Sequence, residues 1–250
     1  VKVSVITAVL NGRDAIPGTL DSVASQDFPA IEHIVVDGGS TDGTLGVVES
    51  HGTRVSRVVA GPDRGVYDAL NKGIAASTGD VIVFLHAGDV YCGVDSLSAL
   101  LAPLHDPGVE ISFADVVITD PDSPCRTLRT YRADAFRPDD LRRGFMPPHP
   151  TLAARRRVYD AHGAYDISYR IAGDFDFSIR VLLKAGVSWR YVPRTVVRMP
   201  AGGLSNRGWR SVWLNTREMK RACDAHDLGT GWWRLAMRLP VKWLDGRRHA

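Results

Sequence analysis

The stretch Asp80-Val81-Ile82-Val83-Phe84-Leu85-His86-Ala87-Gly88-Asp89 decides the fold. Its run from Val81 to Leu85 is short, β-branched and aromatic, which predicts a central strand of a sheet covered on both faces. His86, Ala87 and Gly88 then carry the chain to Asp89, just beyond the carboxyl end of that strand, where open α/β sheets bind ligands. By pattern alone Asp89 serves equally well as a turn acid or as the cap of a helix starting near Gly93.

On the amino-terminal side of this strand, apolar runs alternate with helical stripes. Lys2 to Leu10, Ile31 to Val36 and Arg54 to Ala60 read as strands. Asp14 to Gln26 reads as a helix with Ile16, Leu20 and Val23 at core spacing. The loop Gly38-Gly39-Ser40-Thr41-Asp42-Gly43 precedes a helix that Ser40 or Asp42 can cap, and Asp63 to Ile74 enters a helix striped by Val66, Ala69, Leu70, Gly73 and Ile74. This alternation implies a mainly parallel sheet with right-handed crossovers.

On the other side the pattern predicts a helix over Val94 to Leu104, a strand over Ile111 to Thr119, and a hairpin completed by Arg126 to Tyr131 that breaks the parallel order. Residues 134–150, with Pro147-Pro148-His149-Pro150, read as an extended loop or lid rather than packed scaffold. Asp174 to Lys184 reads as a helix with Asp176 and Arg180 placed for a surface pair, and Val187 to Val192 as a strand. Gly202 to Asn206 reads as a flexible loop before a helix from Arg210 to Cys223.

A chain of 250 residues, 44% apolar and 24% charged, can bury a substantial core and fits one large domain with an appendage. No apolar run reaches the roughly 20 residues of a membrane span, and no secretory leader pattern opens the sequence. Cys92, Cys125 and Cys223 lack metal-site spacing and read as reduced thiols of a cytosolic protein. A net charge of +3 is too small for nucleic-acid binding, but its distribution is uneven: residues 1–100 carry 6 Lys/Arg against 12 Asp/Glu, and residues 217–250 carry 8 against 4.

The carboxyl end is therefore the candidate for an anionic surface. On a helix, Trp232, Leu235, Ala236 and Leu239 share one face, with Arg234 and Arg238 on another. Attachment to a membrane interface, packing on the domain and a homodimer contact all fit this pattern.

Four segments together resemble the inverting nucleotide-sugar glycosyltransferases of family 2: Val5-Ile6-Thr7-Ala8-Val9-Leu10-Asn11, Val35-Val36-Asp37 through Thr44, Asp63-Arg64-Gly65-Val66-Tyr67-Asp68-Ala69-Leu70-Asn71-Lys72-Gly73, and Gly79 to Asp89. The resemblance covers residues 1–205 and implies a GT-A fold, α/β with a mixed, mostly parallel sheet flanked by helices. It assigns residues 1–100 to the donor half and 101–205 to the acceptor half, leaving 206–250 as a helical extension.

The resemblance also implies roles. Thr7, Ala8, Leu10, Asn11 and Asp37 match positions that hold the donor's base and ribose, and a carboxylate such as Asp37 can accept an imino proton or ribose hydroxyls. Arg64, Asp68 and Lys72 fall where the family closes over the diphosphate and sugar, although a solvated charged face explains Asp68 and Lys72 as well.

His86, Ala87 and Gly88 occupy the metal motif, and Asp89 matches its ligand for Mn²⁺ or Mg²⁺, with Ala-Gly where relatives often carry a further acid. Asp174 matches the general base, preceded by Gly173 where the family often has Glu. His149, Gly173 and Arg207 are the expected contacts to acceptor or diphosphate.

The implied activity is transfer of one sugar from a nucleotide-diphospho-sugar, by default UDP-linked, to a hydroxyl of a lipid-linked or other glycan acceptor. The implied location is the cytoplasm, or the inner face of the plasma membrane as a peripheral protein. No Gln-x-x-Arg-Trp motif of processive synthases follows Asp174. A Gly-x-Gly-x-x-Gly turn and a P-loop are also missing, which argues against dehydrogenases and P-loop enzymes. A nucleotidyltransferase and a catalytically inert sugar-binding module are the remaining rivals.

Overall fold

The computed structural model describes residues 1–51, 55–203 and 208–237. Arg54, the segment Leu204-Ser205-Asn206-Arg207 and the tail from Arg238 onward, Leu239 included, lie outside the described residues. The first half follows the predicted alternation: β1 (Val3–Val9), α1 (Ile16–Ala24), β2 (Ile31–Asp37), α2 (Thr44–Ser50), β3 (Val55–Ala60), α3 (Val66–Ala76) and β4 (Val81–Phe84). These four strands pair in parallel in the order β3-β2-β1-β4.

The second half is β5 (Val90–Tyr91), α4 (Ser96–Leu101), β6 (Ile111–Asp120), β7 (Ser123–Tyr131), β8 (Ala153–Arg155), α5 (Arg156–His162), α6 (Gly173–Ser178), β9 (Trp189–Pro200), α7 (Gly208–Ala225) and α8 (Trp232–Ala236). The full order is β3-β2-β1-β4-β8-β6-β9-β5, with β7 paired to β6. The mixed character comes from β8, antiparallel to both β4 and β6, from β5, antiparallel to β9, and from the β6–β7 hairpin.

Burial on both faces accounts for the strand composition. Ile6, Ile34, Ile82 and Phe84 point into one core with Leu70 of α3, Phe175 and Phe177, while Val3, Val5, Val81, Val83 and Leu85 point into the other with Leu97 and Leu100. The period-2 alternation of a strand assigns each residue its side.

Three expectations are corrected. Within residues 134–150 the second part is packed scaffold rather than a lid, with Leu141 fully buried, Pro147, Pro148 and Pro150 buried and His149–Thr151 closing a 3₁₀ turn, while Asp134, Ala135, Arg137 and Asp139 are exposed. The helix predicted over Asp174 to Lys184 changes character at Ile179 and continues as a π-helical stretch to Lys184. The last strand runs on to Pro200, twice the expected length, because β6 offers it a parallel partner along Ile111 to Thr119.

Helix α7 belongs to the main core through Met219, Ala222 and Cys223, and Leu235 of α8 is fully buried there too. Its buried Glu218 accepts hydrogen bonds from three successive backbone N–H groups: Arg170 at 2.9 and 3.1 Å, Ile171 at 2.8 Å and Ala172 at 3.0 Å. That carboxylate shapes the loop leading into α6. Glu218→Ala would leave three donors without their acceptor and should lower unfolding stability by about 3 kcal/mol, with Glu218→Gln losing less. Urea denaturation checks this.

Candidate active site

The carboxyl ends of β1, β2 and β3 meet in one set of interlocked loops. Asn11 donates its N–H to Ser40 Oγ at 2.8 Å and accepts from the Thr41 N–H at 2.9 Å. Gly12 N–H reaches Thr44 Oγ1 at 3.0 Å and Arg13 N–H reaches Asp42 Oδ2 at 3.1 Å. Asn11 has φ 48°, a left-handed conformation that Asn tolerates better than most residues.

Asp42 braces this junction and also accepts from the Thr44 N–H at 3.0 Å, although the α2 cap position itself is Gly43. The third loop closes in at Gly38, where an added Cβ would meet Asp63 Oδ2 at 2.2 Å.

Asp37, fully buried at the end of β2, uses only half its carboxylate internally. Oδ1 accepts from the Gly39 N–H at 3.0 Å and the Ser40 N–H at 2.8 Å. Oδ2 is buried with no hydrogen-bond partner among the described residues. A buried carboxylate oxygen without a donor is expensive in a folded protein and is the mark of a position completed by something else.

The other expected donor positions divide. Leu10 is exposed at the loop tip, and Ala8 is partly buried at the end of β1. Thr7 is fully buried, with its hydroxyl 3.0 Å from His33 Nε2, so it serves the interior.

Asp68 accepts from the backbone N–H and guanidinium of Arg64 at 3.1 and 3.3 Å and pairs with Lys72 at 3.2 Å. Lys72 also donates to the Pro62 carbonyl at 2.8 Å. Asp68, not Asp63, is therefore the acid that orients Arg64, since Asp63 Oδ1 accepts from the Gly65 N–H instead. Asn71 faces away from this loop and exchanges two hydrogen bonds with the backbone of Tyr165.

Beyond β4, the turn His86-Ala87-Gly88-Asp89 is held by the Asp89 N–H on the His86 carbonyl at 2.9 Å and by Thr19, whose hydroxyl accepts from Gly88 and donates to the Asp89 carbonyl, at 2.9 and 2.8 Å. Gly88 at φ 97° makes the turn possible. Burial pushes the Asp89 carboxyl up to about 7. Burial pushes His86 and His149 down to about 4, so both rings are neutral near neutral pH. His149 lies between Phe84 and His86, with ring centroids 5.2 and 5.6 Å away, and its Nε2 is 2.9 Å from the Tyr165 hydroxyl.

Asp174 stands at the start of α6. Its charge acts on the His86 ring, and the Asp89 N–H bonds the carbonyl of the same residue. Burial raises the Asp174 carboxyl, while the Tyr67 hydroxyl at 3.0 Å and the Phe175 N–H at 2.8 Å pull it down.

The same hydroxyl lies 2.5 Å from the Ile171 carbonyl, so its one proton is shared between that carbonyl and Asp174, tying α3 to the loop held from behind by Glu218. Gly173 is what admits the tyrosine: a Cβ there would lie 2.8 to 2.9 Å from three atoms of its ring. Asp176, beside them, is bound to Arg180 at 3.0 Å and His226 at 2.9 Å, a structural pairing.

Tyr67 and Glu218 were not singled out by sequence reading, though both left signals. Tyr67 lies inside the Asp63 to Gly73 motif, and Glu218 stands next to Met219 on the buried arc of an otherwise readable helix.

The fold is an α/β architecture of GT-A-like type. A family model described as Glycosyl transferase family 2 matches residues 4–163. The chain belongs to that family and is a glycosyltransferase.

A PGL/p-HBAD biosynthesis glycosyltransferase of Mycobacterium tuberculosis is 32% identical over 209 residues, covering 81% of this chain and 78% of that protein. Among solved structures, the 1–349 portion of S. aureus TarS in complex with UDP-GlcNAc superposes with a TM-score of 0.66 at 18% identity, covering 89% of this chain and 66% of that one. The chain thus spans just under two thirds of that TarS portion. The mannosyltransferase PcManGT from Pyrobaculum calidifontis, in complex with GDP-Man and Mn2+, superposes with a TM-score of 0.61 at 20% identity, covering 97% and 80%.

Three desolvated histidines, of which His33 is fully buried and His86 and His149 are half-buried, contribute to the acid side of the stability profile. With pKa values lowered from 6.5 to about 4, His33, His86 and His149 contribute stability that is complete above pH 6.5 and lost as pH falls through about 4. Asp89 works in the opposite sense: raised from 3.8 to about 7, its contribution is complete below pH 3.8 and lost as pH rises through 7. His149→Phe keeps a ring on Phe84 and removes one titration. Its unfolding free energy should fall less than wild type between about pH 7 and pH 4, by up to about 3 kcal/mol in urea titrations.

Proposed function

We propose that the protein is a metal-assisted, inverting glycosyltransferase that moves one sugar from a UDP-sugar to a hydroxyl of a lipid-linked or other glycan acceptor. The observation that carries this reading is the buried Oδ2 of Asp37 at the carboxyl edge of the sheet, which has no hydrogen-bond partner among the described residues.

Asp37 Oδ2 accepts the imino N–H of uracil, and the loop carrying Leu10 and Asn11 lies alongside the base and ribose. Arg64, oriented by Asp68, lies at the diphosphate, with Lys72 holding the loop from below. Asp174 takes the proton of the acceptor hydroxyl as its oxygen attacks the anomeric carbon opposite the diphosphate. The attack inverts the configuration in one displacement and needs no protein nucleophile. Burial favours this role because a carboxylate lifted above its usual range is a stronger base. His149 and Gly173 line the acceptor side, and Arg207, outside the described residues, remains a proposed phosphate contact.

The residues present fit one divalent ion. Asp89 is a buried carboxylate that holds a proton up to about pH 7, and a cation there would replace the proton. Among the described residues no group of three His, Cys, Asp or Glu could hold a metal, so Asp89 would be the lone protein ligand, with diphosphate oxygens and water completing the shell. When bound, the ion would offset charge on the departing nucleoside diphosphate. PcManGT holds Mn2+ with GDP-Man, and TarS holds UDP-GlcNAc; the name of the mycobacterial relative places that protein in PGL/p-HBAD biosynthesis.

UDP with Mn²⁺ should raise the melting temperature by about 5 °C or more at roughly a hundredfold excess over Kd, with GDP and TDP giving less. The metal-dependent part should shrink as pH drops below about 7, where Asp89 keeps its proton. No shift with any nucleoside diphosphate would count decisively against the donor reading.

Asp174→Asn should lower kcat by about 10²- to 10⁴-fold while leaving UDP affinity intact. Tyr67→Phe removes a bond that lowers the Asp174 pKa. The acid limb of its pH–rate profile should therefore move to higher pH, with kcat down roughly tenfold and donor KM little changed.

A further inference from the structure

Helix α7 presents opposite chemistry on its two sides. Glu218, Met219, Ala222 and Cys223 are buried. At about 100° per residue, Trp209, Trp213, Arg217 and Lys220 fall within an outward arc of about 80°. Trp209 and Trp213 are 76% and 56% exposed, and Trp232 and Trp233 of α8 are 53% and 62% exposed. Leu235, in contrast, is fully buried, so α8 docks by its leucine and leaves its indoles outside.

Each of these four indoles carries a cation over its ring. Arg210 lies 5.4 Å from the Trp209 centroid, Arg217 lies 5.5 Å from Trp213, Lys220 lies 5.8 Å from Trp232 and Arg234 lies 5.2 Å from Trp233. The Lys220–Trp232 pair joins the two helices into one surface. The acid on the same arc, Asp224, accepts from Lys220 at 2.5 and 2.6 Å, leaving three arginines to set the sign of the face.

We propose that this α7–α8 face is a docking surface for an anionic phospholipid bilayer. Indole rings prefer the depth where lipid headgroups meet acyl chains, because the ring is apolar and its N–H still finds an acceptor. Guanidinium groups beside them meet lipid phosphates, with charge complementary to an anionic leaflet. A neutral glycan would use the indoles but leave the cations without counter-charge. A second copy of the chain would bring like charges together.

The inference relocates the membrane contact. Of the tail's apolar stripe only Leu235, among its described residues, is spent inside the protein, while Trp232 and Ala236 stay exposed, and the bilayer is met by the tryptophans of two helices. Because Glu218 on the inner side of α7 holds the loop before Asp174, docking there would bring lipid close to the helix that braces the base-bearing loop.

Flotation of the full chain with vesicles tests this without donor or acceptor, so its failure leaves the transferase reading standing, and failure of that reading leaves this one standing. The chain should bind vesicles of phosphatidylcholine with about 30% phosphatidylglycerol at least tenfold more tightly than phosphatidylcholine alone. Its tryptophan emission should shift to shorter wavelength, and binding should weaken steeply in about 0.5 M salt.

Trp209→Ala/Trp213→Ala and Arg210→Glu/Arg217→Glu should each weaken binding roughly tenfold or more, while the control Arg126→Glu should not. Unchanged melting curves would show that the variants fold; if the tryptophan pair unfolds, the arginine pair carries the test. The proposal is overturned if the wild-type chain does not bind anionic vesicles, or if the folded variants bind them as the wild type does. It is equally overturned if the substitutions convert a dimer to a monomer, or abolish glycan binding, while vesicle binding is absent.

Discussion

Three backbone N–H groups in a row, those of Arg170, Ile171 and Ala172, point at one buried carboxylate, that of Glu218. A loop with aligned donors does not hold that shape unless an acceptor faces it, and here the acceptor comes from a helix near the carboxyl end of the described chain. From the front the same loop is held by Tyr67, whose hydroxyl takes the Ile171 carbonyl and touches Asp174. The turn that leads to Asp174 is thus fixed between α3 and α7, and the position of Asp174 follows from both. Gly173 is the condition for the front contact, because any side chain there would displace the tyrosine ring.

Burial then determines the electrostatics of the cleft. The same low-dielectric surroundings that push His86 and His149 down to about 4 push Asp89 up to about 7 and raise Asp174. In the proposed reading a divalent cation at Asp89 would offset the charge of a bound diphosphate, which Arg64, already paired with Asp68, would meet only in part.

What could be read in the sequence was whatever the backbone period or a loop motif encodes. Val81 to Phe84 announced a strand buried on both sides because every residue in it is apolar, and Asp37 and Asp89 announced themselves by standing where strands end. Contacts between distant segments were not legible. Nothing around Thr7 says that its hydroxyl turns inward to His33, and nothing around Asn71 says that it serves the backbone of Tyr165, 94 residues away. The proline-rich stretch misled for a physical reason: prolines stiffen a path without saying whether it is exposed, and here the side chains around Leu141 and Pro147 bury it. Glu218 was hidden because a charged residue on a helix is ordinarily assigned to water, and only the tertiary position of the Arg170 to Ala172 loop turns it inward.

The two faces of α7 also constrain each other. Glu218 must point at the loop for the carboxylate to find its donors, and with about 3.6 residues per turn that orientation forces Trp213, Arg217 and Lys220 outward. A rotation of the helix that buried the tryptophans would withdraw Glu218 and leave three N–H groups without acceptors. The exposure of the indoles is therefore not slack in the packing of a terminal helix. The contact that shapes the loop before Asp174 holds them out, so whatever meets the tryptophans meets a helix whose orientation is already fixed by Glu218 and the Arg170 to Ala172 loop.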